Sequence, residues 1–171
     1  VFTGVSGGFA FGLGYAWVGG ILAAIAQIFD GMDGQVARLT GRKSIKGAFF
    51  DSVLDRYVDF ALLFGTLLHC LRFSSGTQVG DFILSPAWII LTGALAAVGS
   101  SQVSYATARA VSLDIDYHRP ESAGKGTRCS VFVICGLLTP LWIHFPFLAL
   151  IYLALHTNLV LVFSFLHLRK L

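Results

Sequence analysis

Long apolar runs with few charges decide what this chain can become. Of its 171 residues, 56% are hydrophobic and only 12% are charged, and the mean hydropathy is +0.76. Several runs approach the roughly 20 residues that carry a helix across a bilayer. They are read at 1–13, 17–29, 48–71, 86–107, 129–143 and 146–168. The second reaches spanning length only if its helix continues through the polar motif that follows. The expected fold class is therefore all-α: a polytopic membrane bundle of six transmembrane helices, the first truncated. The chain opens on Val1 inside an apolar segment, without the basic stretch that begins a signal peptide. It reads as a piece whose own N-terminus lies upstream.

The basic residues give the bundle an orientation. Arg38, Arg42, Lys43 and Lys46 lie in the second connection, and Arg109, Arg119, Lys125 and Arg128 lie in or beside the fourth. Arg169 and Lys170 close the chain, whereas the connections at 14–17 and 141–146 carry no Lys or Arg. Positive charge stays on the cytoplasmic side of a membrane, so these basic connections face the cytoplasm. The connection at 72–85 falls on the other side. The bilayer is the implied partner, and no nucleic-acid partner is expected. Cys70, Cys129 and Cys135 have no metal-type spacing and read as packing residues. His69, His118, His144, His156 and His167 are dispersed and are assigned to no site. The 19 glycines suit close approach between membrane helices.

Against this apolar background, four of the nine acidic residues fall in one short window: Asp30, Asp33, Asp51 and Asp55. Carboxylates at a membrane edge are costly unless paired or metal-bound, which marks a functional site. Asp30 and Asp33 are three apart and Asp51 and Asp55 four apart, so each pair shares a helix face. The basic connection between them lets the two helices return antiparallel and the four side chains converge. Converging carboxylates repel unless divalent cations bind them. Hard oxygen donors without His or Cys suit magnesium or manganese. Gly34, Ala37 and Gly47 leave a groove beside the acids, and Arg38 is placed to meet a phosphate. Two metals beside a nucleotide diphosphate make up a phosphoryl-transfer site.

The full spacing is D-x2-D-G-x2-A-R-x8-G-x3-D-x3-D. It resembles the signature of the CDP-alcohol phosphatidyltransferase family, with Asp30, Asp33, Gly34, Ala37, Arg38, Gly47, Asp51 and Asp55 filling every position. The resemblance implies transfer of a phosphoalcohol from a CDP-alcohol to an acceptor hydroxyl, with release of CMP. It implies that Asp30, Asp33, Asp51 and Asp55 surround two divalent cations, with Asp55 also the base. It further implies that Asp30, Gly34, Ala37, Arg38, Gly47 and Asp51 bind the cytidine diphosphate, and that the protein is a homodimer. Asp59 continues the row after Asp55, in position to orient either Arg56 or the acceptor.

The second basic group bears on the acceptor. The segment Ser104-Tyr105-Ala106-Thr107-Ala108-Arg109-Ala110 ends the fourth helix, and Arg119, Lys125 and Arg128 follow. Arginines at two helix ends can clamp a phosphate, although ordinary positive-inside charge accounts for them as well. The segment is similar to family members whose acceptor carries its own phosphate. The stretch from Gly47 to Tyr57 is similar to archaeal members that use inositol 1-phosphate. In some of these the membrane domain follows a soluble cytidylyltransferase domain, which would stand upstream of Val1 here. The implied donor is CDP-inositol. A CDP-lipid donor, as in synthases of phosphatidyl- or archaetidyl-inositol phosphate or of phosphatidylglycerol phosphate, is the alternative. Gln35 and Val111 depart from residues common in the family. A transporter with an acidic site is the reading from another class. Transporters place such charges at mid-membrane between repeated halves, and here the acids gather at one edge with no repeat.

Overall fold

The computed structural model describes residues 1–39, 44–79, 82–115, 117 and 120–168, with the backbone alone at 33, 34, 36–39, 79, 82, 121 and 168. Six α-helices account for most of it: α1 (Phe2–Gly12), α2 (Ala16–Leu39), α3 (Ile45–Phe73), α4 (Pro86–Ser112), α5 (Lys125–Leu137) and α6 (Phe145–Leu168). A short antiparallel pair, β1 (Gln78–Val79) with β2 (Phe82–Ile83), sets Gln78 against Ile83. A 3-10 turn at Glu121–Ala123 leads into α5. The fold class is all-α, and the two-residue strands sit inside the α3–α4 connection.

Local chemistry explains the helix ends. α1 stops at Gly14, whose φ of +98° is the left-handed conformation that glycine adopts without strain. There Gly14 N–H donates to the Phe11 carbonyl and Tyr15 N–H to the Ala10 carbonyl, a Schellman closure. α3 starts at Ser44, whose hydroxyl oxygen accepts from the Gly47 N–H at 2.9 Å. α4 opens with Pro86 in its first turn, where a missing N–H does no harm. It closes with Asp114 at φ 53° and the Ile115 N–H on the Ala110 carbonyl.

Small residues set the packing. α1 and α3 meet in backbone contact, because a Cβ on Gly65 would collide with the Gly8 carbonyl. Likewise α2 meets α5 where a Cβ on Gly136 would lie 2.8 Å from the Ala16 carbonyl oxygen. Phe11, Leu62, Ile89, Leu150 and Leu153 fill the space between the helices. Phe9, Trp88, Val98 and Phe163 point outward.

Two helices, α4 and α6, are long and apolar enough to cross a membrane. α2 does run on through the polar motif, reaching 24 residues, about 36 Å at 1.5 Å per residue. The fifth expected span, 129–143, is corrected. α5 has 13 residues, about 20 Å of helix, and ends at Leu137 because Pro140 cannot supply the N–H that would prolong it. Residues 138–144 form turns instead.

Candidate active site

The second half of α2, the first half of α3 and the first turn of α5 meet at one end of the bundle. Asp30 comes from α2, and Asp51 and Asp55 come from α3. One carboxylate oxygen of each lies within 4.8 Å of the others. The one-turn spacing of Asp51 and Asp55 and the approach of α2 to α3 thus bring three of the four acids of the motif together. Asp33 lies one turn beyond Asp30 on α2, but its side chain falls outside the described residues, as do those of Ala37 and Arg38; Gly34 is described by its backbone alone. Gly47 lies in the first turn of α3. A Cβ there would stand 2.9 Å from Ser44 Oγ, so the glycine also makes room for the helix cap.

Lys125, from the first turn of α5, reaches into this group. Its Nζ lies 2.9 Å from Asp30 Oδ2 and also bonds Asp55 Oδ1. Burial disfavours the ammonium, but the hydrogen bonds and charges of Asp55 and Asp30 outweigh it and hold the pKa above the ordinary lysine value. Asp30, Asp51, Asp55, Gln27, Lys125 and Gly126 line a cleft of about 160 Å³ with their neighbours. Gln27 is one turn before Asp30 on α2. Its Nε2 donates to the Gly126 carbonyl at 3.2 Å and to Ser130 Oγ at 3.1 Å, tying the start of α5 to α2.

A second charged cluster lies deeper. Arg128 is buried, with Nη2 donating to Asp59 Oδ2 at 2.8 Å and Nη1 to the Ala123 carbonyl at 2.9 Å. Arg56 Nη1 lies 2.8 Å from the same Asp59 oxygen and 2.7 Å from Ser104 Oγ. Asp59 thus bonds Arg56, one of the partners open to it, and also Arg128. The two arginines expected at the acceptor's phosphate, Arg109 and Arg128, thus stand in different surroundings. Arg128 is drawn inward by a buried carboxylate. Arg109 stands exposed at the end of α4, its Nη1 3.4 Å from Ser112 Oγ. Arg119 lies outside the described residues.

From the sequence alone, Gln27 has no role, Ser104 none beyond its place in the segment before Arg109, and Lys125 only that of a phosphate ligand. The helical offsets were visible: Gln27 precedes Asp30 by three, and Arg128 follows Lys125 by three. Nothing local showed which helix each offset would face.

Among the described side chains, the cleft carries three carboxylates with one ammonium against them. Three carboxylate oxygens at this separation, with no imidazole among them, match the hard oxygen donor set that magnesium or manganese takes. A divalent cation therefore fits the residues present.

The chain is similar to several known proteins. A protein named bifunctional IPC transferase and DIPP synthase, from Aquifex aeolicus, is 43% identical over 93 residues, which are 54% of this chain and 18% of that protein. An archaetidylinositol phosphate synthase from Pyrococcus horikoshii is 34% identical over 108 residues, 63% of this chain and 44% of that one. A phosphatidylinositol phosphate synthase from Cutibacterium acnes is 34% identical over 103 residues, 60% of this chain and 45% of that one. The matched regions thus span less than half of each relative. The family model described as CDP-alcohol phosphatidyltransferase matches residues 2–167. That match takes in α1 to α5, α6 up to its last residue and every residue of the acidic motif, and the chain belongs to the CDP-alcohol phosphatidyltransferase family.

Proposed function

We propose that this chain is the membrane domain of an enzyme that transfers a phosphoalcohol from a CDP-alcohol to a phosphorylated polyol. The donor is CDP-inositol and the acceptor inositol 1-phosphate. The observation that carries the reading is the meeting of Asp30, Asp51 and Asp55 at one cleft with Lys125 beside them. Two relatives named for inositol phosphate products and a third named DIPP synthase support the substrate class.

In the reaction, the acceptor oxygen attacks the phosphorus that carries the donor alcohol. The bond from that phosphorus to the bridging oxygen breaks, and CMP leaves with the bridging oxygen. The hydroxyl proton passes to Asp55, a carboxylate aimed into the cleft. Because a carboxylate is a weak base, most of the rate comes from positioning and charge stabilisation. Asp30, Asp33, Asp51 and Asp55 would hold two magnesium or manganese ions, which supply neutralisation of the diphosphate when bound. Asp30, Gly34, Ala37, Arg38, Gly47 and Asp51 bind the cytidine diphosphate. Lys125, Arg109, Arg119 and Arg128 receive the acceptor's phosphate, with Asp59 holding Arg128 beside Arg56.

The same proposal places the six helices in a cell membrane, as a homodimer, with the cleft at the cytoplasmic face and a cytidylyltransferase domain upstream. Among the described basic side chains, Lys46, Arg56, Arg109, Lys125 and Arg128 belong to the cleft end. Arg72 belongs to the other, a bias that supports this orientation. A CDP-lipid donor is the second reading. The archaetidylinositol phosphate synthase favours it, because it matches a larger share of this chain than the bifunctional relative, 63% against 54%.

The test is CMP release by purified protein with magnesium, comparing CDP-inositol with CDP-diacylglycerol and inositol 1-phosphate with free inositol. Turnover with CDP-inositol and inositol 1-phosphate alone is expected. Turnover with the lipid donor alone would establish the second reading, and equal use of the two acceptors would remove the phosphate site.

A further inference from the structure

Two ion pairs join α3 to α5 in register. Asp55 and Asp59 are four apart on α3, and Lys125 and Arg128 are three apart on α5, one turn in each case. The inner pair, Asp59 with Arg128, is buried, with side chains 8% and 3% exposed. It is also tied in on several sides: Arg56 and Ser104 share its polar atoms, and Arg128 holds the Ala123 carbonyl, with only the Arg128 Nε left without a partner among the described residues. The outer pair opens on the cleft. Lys125 is 26% exposed, Asp55 18% and Asp30 43%.

The residue types differ in the same sense. Arg128 presents a planar fork that suits a fixed partner. Lys125 carries a compact charge on a flexible four-carbon stem whose donors rotate freely. The backbone beside Lys125 is pinned, because Gln27 bonds the Gly126 carbonyl. Only the side chain is left to move.

The Lys125 ammonium lies among the oxygens that suit a divalent cation. The two compete: a carboxylate oxygen that turns a lone pair to magnesium at about 2.0–2.1 Å brings the metal close to the ammonium bonded to the same carboxylate, and the two cations repel. We propose that Lys125 is the exchangeable counter-ion of the metal site. It neutralises Asp30 and Asp55 until the divalent cation arrives and then gives up both carboxylates. The Asp59–Arg128 pair keeps α5 in place during the exchange. The freed ammonium stays at the cleft, where an anionic substrate group meets it. This rests on the divalent-cation reading of the cleft.

The experiment is a manganese titration of the chelator-stripped, detergent-purified protein, wild type against Lys125→Met, followed by calorimetry. Lys125→Met is expected to bind manganese about tenfold more tightly or better, since a site open in a tenth of the molecules loses affinity by that fraction. Unchanged or weaker binding overturns the proposal, and weaker binding is what a merely structural lysine predicts. On the wild type, acetylation of Lys125 read by mass spectrometry is expected to rise when manganese saturates the site. This separates displacement from repulsion at a distance, needs no variant to fold, and unchanged acetylation overturns the proposal. Should neither protein bind manganese, the metal reading itself falls and this inference with it. Equal binding by both defeats the exchange alone.

Discussion

The two ends of the bundle handle polar groups in different ways. At the end away from the cleft, His69 Nε2 donates to the Ile143 carbonyl at 3.1 Å, and Arg72 Nη1 to the Leu13 carbonyl at 3.1 Å. Ser74 Oγ and His144 Nδ1 share a hydrogen bond of 2.9 Å, and Trp142 packs edge-on against His144. Each bond ties the end of α3 to a neighbouring turn. None of these contacts is an ion pair. At the cleft end, Asp30, Asp51 and Asp55 crowd within reach of one ammonium. Polar groups that find backbone partners hold a fold together. Like charges gathered at one place strain it, and they persist where a ligand completes them.

The sharpest way to break this contrast is at Asp55. Asp55→Asn keeps the shape and one oxygen but cannot take a proton. Turnover measured as CMP release is expected to fall about 10²–10⁴-fold, the usual contribution of a general base, with nucleotide binding largely kept. Near wild-type turnover would remove Asp55 as the base, and loss of nucleotide binding would make it chiefly a metal ligand.

Next comes the buried pair behind it. Arg128→Met takes from Asp59 its buried partner and leaves it Arg56, so the loss is expected to stay below the about 3–5 kcal/mol of a buried charge left wholly unpaired. Thermal melting in detergent is expected to drop clearly, and Asp59→Leu added to Arg128→Met to recover part of it. A melting point unmoved by Arg128→Met would mean that the inner pair is not what anchors α5.

The smallest effect belongs to the far end. His69→Phe removes one hydrogen bond to a carbonyl, worth about 1 kcal/mol net. A small fall in melting temperature is expected with manganese affinity unchanged. A change in manganese affinity would show that the two ends are coupled, and the contrast drawn here would need to be abandoned.

How much was legible beforehand follows from range along the chain. Spacings of three and four residues are local, so the pairing of Asp51 with Asp55 and the side of α2 that carries Asp30 could be read before any fold was known. The same holds for the extension of α2 through the motif, because nothing in it breaks a helix. The fifth span was misjudged because apolar residues continue past Leu137, and hydropathy does not register the block that Pro140 sets on the helix. The short strand pair in the α3–α4 connection left no pattern long enough to read.

By itself the sequence determined the class of fold, the family and the acidic motif, since each rests on composition or on offsets within one helix. The tertiary structure alone decided what the cations do. Lys125 meets Asp55 across 70 positions and Arg128 meets Asp59 across 69. Charge attracts whatever opposite charge the packing brings near, and packing here is set by glycine contacts such as Gly20 with Gly136 and Gly8 with Gly65. An arginine beside an apolar run reads as a loop charge in the sequence. Only the approach of α5 to α3 turns it into the buried partner of Asp59, and leaves Lys125 as the cation at the cleft.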